Sequence, residues 1–581
     1  MSHSLIVRQD IDFLLHDWLG LDDIADRTTV DAVIDLSEKL AIDHFLPHYK
    51  QADVEEPTLT ADGVHICPPI GEALKHYADL GLFSAGFPEE LGGLGLPYLA
   101  CAASFAYFAA ANLATSAYPM LTVANARLIA TFGTQAQIRH FAIPQIEGRW
   151  FGTMCLSEPQ AGSSLADVRT RAEADGQDDL GDRYRLVGNK MWISGGDQDV
   201  SQNIVHLVLA KVAGRGEALP VGTEGLSLFI VPKYLPDGTR NDIEVAGLNH
   251  KMGYRGTANC LLNLGETTGA IGWIVGQPGQ GLRQMFQMMN EARISVGLGA
   301  AAVGYRGYRL SVAYANERLQ GRPAGVRDGP QVPISAHSDV RRMLLAQKAY
   351  VEGALALCLY SARLVDDESD ADSASLLGLL TPITKTWPSE YGLAANDIAI
   401  QIHGGYGYTR DFDVEQLWRD NRLNPIHEGT TGIQAADLLG RKILRDGTGM
   451  IVLEARIATT VERAAAVEDL AAHGVALSAA WVRVRDIAAQ LGAGDAGHLF
   501  DNATPYLWAF GHVVVGWLWL DQAILASQKC TASDAEAQFL AGKARAARFF
   551  FECELPKIDG WLAVVASASM VAAEAPPSTF Q

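Results

Sequence analysis

The spacing of apolar positions predicts a helical start to the chain, followed by a β-rich region. Residues 1 to about 150 have helical patterns, which the Gly- and Pro-rich stretch 89–97 interrupts. From about 151 to 277, short β-branched and aromatic runs alternate with Gly, Asp and Pro, as strands and turns do. The runs cover residues 184–194, 205–212 and 226–231. Within the first run, Gly188–Asn189 has the composition of a hairpin turn, so we expect the chain to reverse there.

Helical spacing returns after the β-rich region and continues toward the end of the chain. Apolar faces recur in 282–289 and 340–358, and the Gly- and Pro-rich segment 321–335 is predicted to be a loop. In the last region, one apolar face comprises Leu477, Trp481, Val484, Ile487, Ala488 and Leu491. The fold class is therefore mainly α with a central β-domain. The predicted domains are a helical domain at 1–150, a β-domain at 151–277, a helical bundle at 278–446 and an additional helical domain at 447–581.

Charge and cysteine usage narrow the possible functions. The 581 residues include 46 Lys and Arg against 67 Asp and Glu, a net charge of -21, so the chain repels polyphosphate backbones and nucleic acid is not an expected partner. Its seven cysteines form no CxxC pair and no His-flanked spacing, which predicts no metal site and a reducing compartment. The first twenty residues carry charge in every turn, unlike a secretory signal, so we expect a cytoplasmic protein.

One stretch invites a transmembrane interpretation, because residues 91–126 contain no charged residue. Polar residues such as Asn112, Thr122 and Asn125, together with Pro119, argue against a span. The apolar run at 513–520 is too short for a bilayer and ends at a charged residue. We therefore expect buried helices and no stable membrane span.

Four segments have compositions that suit a ligand site. They are MCLSEPQAGSSLADVRT at 154–170, KMWIS at 190–194, QIHGGYGY at 401–408 and PIHEGTTGIQ at 425–434. The first offers exposed amide and hydroxyl donors, and the glycine pair of the third lets a ligand approach the backbone. Taken singly, each segment has a plainer interpretation. In order, they can be a capped loop, a strand end with a core tryptophan, a flexible glycine pair, and an acid at a helix N-terminus.

In this order and spacing, the four segments resemble the acyl-CoA dehydrogenase family. The resemblance covers about residues 75–445, and four further segments carry it: HKMGYRGTANC, MNEARISVG, YANERLQG and LWRDNRLNPIHEGTTGIQ. It implies an N-terminal α-domain, a β-barrel domain and a C-terminal helical bundle. The EPQAGS form of the loop and the extra length point to the larger branch, which has a helical C-terminal extension and includes long FadE-type and 3-methylmercaptopropionyl-CoA dehydrogenases.

The implied reaction converts a saturated acyl-CoA to the trans-2-enoyl-CoA. It needs a base at Cα and a hydride acceptor at Cβ, and because no amino-acid side chain accepts hydride, a flavin must do so. The resemblance supplies FAD as that cofactor and matches Glu428 to the base. In the family, a flavin ribityl hydroxyl and the backbone N–H of the catalytic Glu stabilise the enolate-like transition state. Glu428 is therefore expected to act through both its carboxylate and its amide.

Other roles transfer by position as expectations. The flavin-lining residues are Met154, Leu156, Ser157, Trp192 and Ser194. The substrate-binding residues are Ser163 at the CoA moiety, Arg293 at the channel and catalytic loop, and Gly429 at the thioester. The residues expected to hold the FAD of a neighbouring subunit are Arg318, His337, Gln401, Gly404 and Gly405, with Thr430 contacting the subunit's own FAD. Such shared sites imply a homo-oligomer, a dimer or tetramer.

Several alternatives stay open. Glu158 and Glu291 are rival bases, and His403 and His427 are possible proton shuttles. Ser157, Ser164 and Gly432 depart from the family's usual residues, and a Gly- and Pro-rich loop replaces its compact turn after Arg318. We expect medium to long acyl chains, with an electron-transfer flavoprotein as acceptor. The alternatives are a 3-methylmercaptopropionyl-CoA or other specialised acyl-CoA dehydrogenase, an acyl-CoA oxidase, a nitroalkane oxidase, whose base would be Asp, and a flavin-free scaffold.

Overall fold

The computed structural model describes residues 5–214, 216–367, 369–494 and 496–581. The chain divides into two compact units. The central unit is Ala25–Ala292, and the terminal unit combines the segment ending at Ile24 with Arg293–Gln581. The division between them falls inside one long helix.

The first predicted region is helical apart from one small hairpin. Its elements are α1 (Arg8–Asp12, in the terminal unit), α2 (Arg27–Leu40), α3 (Tyr49–Val54), β1 (Thr58–Thr60), β2 (Gly63–His65), α4 (Pro68–Asp79), α5 (Tyr98–Ala111), α6 (Leu113–Phe132), α7 (Gln135–Gln137) and α8 (Ile143–Ile146). Helix α2 begins where the Asp26 side chain accepts a hydrogen bond from the Thr29 amide at 2.8 Å. Its buried residues Val30 and Ile34 recur at helical spacing. The β1–β2 hairpin, with strands of three residues, is absent from the sequence prediction.

The uncharged stretch 91–126 does not form one continuous helix. Helices α5 and α6 meet at Asn112, whose backbone is extended and whose side chain accepts a hydrogen bond from the Thr115 amide at 3.2 Å. Most side chains of α5 are fully buried. The expectation of buried helices here is confirmed.

The predicted β-domain is present as a closed ring of five strands with additions. Its strands are β3 (Phe151–Cys155), β4 (Arg171–Asp178), β5 (Gly181–Ser194), β6 (Ile204–Val212), β7 (Leu226–Pro232), β8 (Ile243–Leu248), β9 (Asn259–Leu264) and β10 (Ala270–Ile274). Strands β5, β4, β6, β7 and β10 pair in that order, and β10 pairs back to β5. Strand β3 adds to β6 in parallel, and β9 and β8 extend from the second half of β5.

The hairpin predicted at Gly188–Asn189 is wrong, because both residues lie inside β5. The chain reverses instead at residues 179–180, between β4 and β5. Strand β5 changes partner at Gly188, which pairs with Leu264 of β9. A Cβ atom at Gly188 would lie 2.4 Å from the Thr170 hydroxyl, so this glycine permits a close approach rather than a turn.

Residues on one face of the barrel strands pack with helix α6 in the core of the central unit. Leu207, Leu228 and Trp273 are buried there and belong to one apolar cluster with Met285 and Met288. The two methionines lie in the first part of the helix that follows the β-domain, where the sequence pattern predicts an apolar face. Burial of these side chains fixes the start of that helix against the barrel.

The terminal unit is helical, as predicted. Its helices are α9 (Gly281–Glu317, entering from the central unit), α10 (Ser338–Asp366), α11 (Ala371–His403), α12 (Val414–Asn421), α13 (Thr431–Ala436), α14 (Thr448–Ala465), α15 (Ala471–Ala493), α16 (Ala503–Gln528), α17 (Asp534–Phe549) and α18 (Ile558–Ala566). The chain between α9 and α10 has only a short helical turn at Ile334–Ala336, so the predicted loop is confirmed. On α15, five of the six residues of the predicted face are buried: Leu477, Trp481, Val484, Ile487 and Ala488.

Helix α16 is the one element of the described chain that is long and apolar enough to cross a bilayer. In its most apolar 18-residue window, 89% of the residues are buried inside the fold. Core helices of globular proteins satisfy the same length and composition, so α16 is weak support for a membrane segment.

A buried charge cluster joins α1 to later helices of the terminal unit. Lys543 of α17 pairs with Asp10 of α1 and, at 3.1 Å, with Glu352 of α10. The Tyr305 hydroxyl donates a hydrogen bond to Asp10 at 3.1 Å. All four side chains are buried. Removing one charged member of such a cluster leaves an uncompensated buried charge, so each such substitution is expected to destabilise the fold by about 3–5 kcal/mol.

Helix α9 approaches helix α11 at backbone contact distance. A Cβ atom at Gly297 would lie 2.0 Å from the carbonyl oxygen of Thr384, and one at Gly304 would lie 2.9 Å from the Cα of Gly392. Glycine at these positions removes the side chain that would separate the helices. Helix α9 carries Arg293 one turn before Gly297, and Lys385 follows Thr384 on helix α11.

Gly297→Ala is expected to lower the free energy of unfolding by about 1–3 kcal/mol, because the added methyl group overlaps the Thr384 carbonyl and forces the helices apart. Thermal and denaturant unfolding of the variant measure the change. Gly560→Ala in α18 is the matched control, since its Cβ meets no atom within 4 Å. A Gly297→Ala variant as stable as this control would contradict the packing argument.

Candidate active site

The loop that carries Glu428 has an unusual backbone. It connects α12 to α13, and Glu428 adopts a φ of +53° while Gly429 has a φ of +91°. The left-handed region costs a residue with a Cβ atom roughly 1–2 kcal/mol, and such strain is concentrated at functional sites. The conformation therefore needs support from the surrounding structure.

Two side chains hold this loop by its carbonyl groups. The Gln434 side-chain amide donates to the Glu428 carbonyl at 2.9 Å, and the Lys385 ammonium donates to the Gly429 carbonyl at 2.7 Å. The Thr431 hydroxyl donates to the Glu390 carboxylate at 2.7 Å, which anchors the start of α13. The first two bonds hold the strained backbone, and the third holds the helix that follows it.

The Glu428 carboxylate and the backbone amides beside it are available to bind a ligand. Throughout the described part of the chain, the Glu428 carboxylate has no hydrogen-bond partner, and neither do the amide N–H groups of Glu428 and Gly429. The residue is half-buried. An acceptor oxygen on a ligand can therefore be bound by amides beside the same carboxylate.

Burial and two cations act on the Glu428 carboxylate in opposite directions. Loss of water contact raises its pKa, and the positive charges of Arg293 and Lys385 limit that rise. Arg293 is buried and bonds Asp437 at 3.2 Å, while its Nε atom has no partner among the described residues. Burial lowers the pKa of Lys385 to about 8. The result is a basic carboxylate whose ionised form is stabilised nearby.

Neither histidine of the two motifs carries charge at neutral pH. Burial, followed by the charge of Lys385, lowers the pKa of His427 to about 3. His427 shares a hydrogen bond with the Asn424 side chain at 3.0 Å. His403 stacks on Tyr314 with ring centroids 4.3 Å apart, and burial lowers its pKa as well. His427 therefore adds no positive charge beside Glu428.

The rival acids have different surroundings. Glu158 is buried and accepts bonds from the Lys190 ammonium at 2.9 Å, the Thr170 hydroxyl at 2.6 Å and the Arg169 amide at 2.7 Å. Burial alone would raise its pKa, but Lys190 and these donors bring the pKa of Glu158 below its ordinary value. Glu291 pairs with Arg127 at 2.8 Å. Both carboxylates are thus held in ion pairs.

The central unit presents a surface that suits a flat aromatic ligand. Trp192 is 58% exposed at the end of β5 and has a φ of +66°. The Ser157 carbonyl accepts a bond from the Met191 amide at 3.0 Å, which places this loop beside the end of the strand. The Ser194 hydroxyl accepts a hydrogen bond from the Asn259 side chain at 3.3 Å. Met154 on β3 and Leu156 just after it, which precede Ser157 in the sequence, are half-buried. An exposed indole with adjacent hydroxyls fits a flavin ring.

The terminal unit contains an open groove of about 450 Å³. Its lining residues are Tyr314, Arg318, Gln320, Ile334, Ile402, His403, Gly404, Gly405, Tyr406 and Thr409. The Arg318 guanidinium lies 5.9 Å from the Tyr406 ring centroid. A Cβ atom at Gly404 or Gly405 would meet nothing within 4 Å, so the backbone there is open to a ligand. A cation beside open glycine backbone fits the phosphates of a dinucleotide.

The remaining predicted residues are less closely grouped. His337 lies outside the groove lining and bonds the Gln320 carbonyl at 2.7 Å, whereas Gln401 is exposed one turn before Gly404. Ser163 is exposed on the loop after β3, and Thr430 is exposed at the start of α13.

Sequence reasoning missed the residues that support the loop and line the groove. They are Lys385, Glu390, Gln434, Tyr314, Gln320, Ile334, Ile402, Tyr406 and Thr409. Lys385 had a detectable signal, because it is a single charge in the otherwise uncharged segment TPITKTWPS. The others have no signal in one sequence.

Family comparisons cover the chain in four consecutive parts. Residues 31–149 match the acyl-CoA dehydrogenase N-terminal domain, 153–266 the middle domain and 279–443 the C-terminal domain. Residues 453–576 match a domain described as acetyl-CoA dehydrogenase C-terminal like.

Two relatives show the same similarity over most of their length. A 3-methylmercaptopropionyl-CoA dehydrogenase of Ruegeria pomeroyi is 36% identical over 82% of this chain and 82% of its own. A broad-specificity linear acyl-CoA dehydrogenase of Mycobacterium tuberculosis is 32% identical over 97% of this chain and 98% of its own. The chain belongs to the acyl-CoA dehydrogenase family. It is therefore an FAD-binding oxidoreductase that acts on CH–CH bonds, as the resemblance implied.

Solved structures agree at the level of the fold. ACDH-11 of Caenorhabditis elegans, in complex with C11-CoA, has a TM-score of 0.77 and 21% identity over 94% of this chain and 90% of that one. An acyl-CoA dehydrogenase of Bacillus anthracis, complexed with FAD, has a TM-score of 0.76 and 20% identity over 100% of this chain and 93% of that one. The predicted fold class is confirmed.

Glu158→Gln is expected to lower the free energy of unfolding by about 3–5 kcal/mol, because it leaves the buried Lys190 charge without its partner. Unfolding at neutral pH measures the loss. Since the folded-state pKa of Glu158 is depressed, its contribution is present above the ordinary value of 4.5 and is lost as the pH falls below it.

The double variant Glu158→Gln/Lys190→Met serves as the control, because it removes both charges and should recover part of the stability. A single variant as stable as the parent chain would contradict the buried ion pair.

Proposed function

We propose that this chain oxidises a saturated acyl-CoA of medium or long chain to the trans-2-enoyl-CoA, with Glu428 as the base at Cα. The observation that carries the proposal is the half-buried Glu428 carboxylate, which has no hydrogen-bond partner among the described residues and lies on a strained loop beside free amides. Family membership supplies the reaction class.

In this mechanism, the ionised Glu428 carboxylate removes the α-proton of the thioester. The Glu428 amide donates a hydrogen bond to the thioester carbonyl and stabilises the negative charge that develops on its oxygen. Partial desolvation increases the basicity of the carboxylate, while the charges of Arg293 and Lys385 favour its ionised form. FAD, when bound, supplies the acceptor for the hydride from Cβ.

The same proposal assigns the two ligand surfaces. Met154, Leu156, Ser157, Trp192 and Ser194 contact the flavin ring, supported by the exposed Trp192 indole. Arg318, Gly404, Gly405, Gln401 and His337 hold the FAD of a neighbouring subunit, while Thr430 contacts the subunit's own FAD. Open glycine backbone and the Arg318 cation support the second assignment. Ser163 contacts the CoA moiety, and Arg293 and Gly429 the substrate side. The shared sites make the enzyme a homo-oligomer.

The proposal also covers the domain boundaries, the electron acceptor, the cellular compartment and an alternative substrate. The three domain boundaries, at 150, 277 and 446, follow the sequence pattern. The acceptor is an electron-transfer flavoprotein, and the compartment is the cytoplasm, in keeping with seven free thiols. A specialised short substrate is the second candidate, because the relative that is 36% identical is named for 3-methylmercaptopropionyl-CoA.

An anaerobic titration with CoA esters of graded chain length tests the substrate. Loss of the oxidised flavin absorbance should be complete with medium or long saturated chains and weak with butyryl-CoA. Bleaching only by short chains or by 3-methylmercaptopropionyl-CoA would replace the proposed substrate with the second candidate. Bound flavin that no acyl-CoA reduces would overturn the proposed reaction.

Glu428→Gln is expected to slow flavin reduction by about 100- to 10,000-fold, the range for loss of a positioned base. In the parent enzyme, the raised pKa of Glu428 means that the reduction rate should rise with pH through an acid limb above 4.5. Stopped-flow reduction across pH measures both effects. Glu291→Gln is the matched control and should keep its rate. If Glu428→Gln reduced its flavin as fast as Glu291→Gln, another group would be the base.

A further inference from the structure

Lys385 is fully buried, and its single hydrogen bond does not offset the cost of burying its charge. It lies on α11 between Pro382 and Pro388, with no exposed surface. An ammonium group has three N–H donors, and in the described structure only the Gly429 carbonyl accepts from this one, at 2.7 Å. No carboxylate described in the structure lies within ion-pair distance of it. A buried charge with so few partners destabilises the fold, so its presence calls for a functional reason.

The other fully buried lysines of the described chain differ in this respect. Lys190 donates to the Leu156 and Leu209 carbonyls and to the Glu158 carboxylate. Lys543 pairs with two carboxylates in the cluster with Asp10. Both have the partners that a structural lysine needs. Lys385 instead donates its hydrogen bond to the Gly429 carbonyl, in the loop that carries the candidate base Glu428.

The other charges near Lys385 leave Glu428 as a carboxylate on which its positive charge acts. The groups that act on it are Glu428 on the loop, Glu390 on its own helix and Arg293 on α9. Arg293 is already paired with Asp437, which also pairs with Arg441. His427, beside Glu428, is neutral. Lys385 is thus the buried cation near Glu428 that has no direct carboxylate partner in the described structure.

We propose that Lys385 is the positioning residue of this site: by holding the Gly429 carbonyl it maintains the left-handed backbone of Glu428, and by its charge it favours the ionised carboxylate. This inference rests on the proposed function, because it takes Glu428 as the base. In this role Lys385 acts through Glu428 and not directly on the substrate or cofactor. Its two effects are separable, since one needs a hydrogen-bond donor and the other needs a positive charge.

Lys385→Met, measured as the flavin-containing enzyme, tests the inference by anaerobic stopped-flow reduction across pH. The rate at saturating acyl-CoA should fall about 10- to 100-fold while the substrate dissociation constant changes less than about threefold, as expected when orientation rather than binding is lost. Removing the cation raises the pKa of Glu428, so the acid limb should move to higher pH by about one unit. Lys385→Gln keeps a donor without the charge and should show the shifted limb with a smaller loss of rate.

Two controls separate positioning from general damage. Thr386→Val removes a buried hydroxyl that has no partner and lies one residue along the same helix, so it should behave like the parent. Lys190→Met should lower stability and leave the acid limb in place. If Lys385→Met does not fold, Lys385→Gln carries the test through the position of its acid limb.

An acid limb and rate like those of the parent in the folded Lys385 variants would overturn the inference, as would an equal shift in Thr386→Val. The outcome with Glu428→Gln distinguishes the two proposals. If Glu428→Gln keeps its turnover, the proposed base is wrong. If it is inactive while Lys385→Met and Lys385→Gln match the parent, only the role of Lys385 fails.

Discussion

The close approach of helices α9 and α11, where Gly297 meets the Thr384 carbonyl, is the constraint on which the candidate site depends. It sets the separation between the helix that carries Arg293 and the helix that carries Lys385. Because both cations are buried on packed helices, neither can move toward water to lower its energy. The catalytic loop therefore meets a fixed electrostatic environment rather than one that adapts to it.

If Glu428 is the base, that environment meets two opposing requirements: the carboxylate must be strongly basic, and it must also be ionised. Strong basicity requires removal of water, and removal of water favours the protonated acid that cannot accept a proton. Burial of Glu428 supplies the first effect, and Arg293 and Lys385 oppose the second. The strained backbone at Glu428 is held by bonds to the carbonyl groups, so the amides of Glu428 and Gly429 have no partner among the described residues. In the proposed reaction, acid–base balance and oxyanion binding thus come from one short segment.

Apolar spacing was sufficient to predict the helical regions, because it reports directly on burial. Residue composition predicted the β-domain and the loop after α9, but it failed at Gly188, since a glycine required for a close approach has the same composition as one in a turn. Motif resemblance singled out Glu428 and the other site residues, and all of their roles remain predictions. The positive φ of Glu428 and the supports from Lys385 and Gln434 depend on contacts between distant segments, which one sequence does not encode locally.

The Lys543 cluster has a consequence for synthesis of the chain. Asp10 leaves the ribosome more than 500 residues before its partner Lys543, an interval of roughly half a minute to two minutes at about 5–20 residues per second. The central unit is complete once residue 292 has emerged, but the terminal unit is not. During that interval Phe13, which is buried in the finished protein, lacks its ring contact with Phe539. The segment around Asp10 is consequently one for which chaperones can compete until Lys543 has emerged.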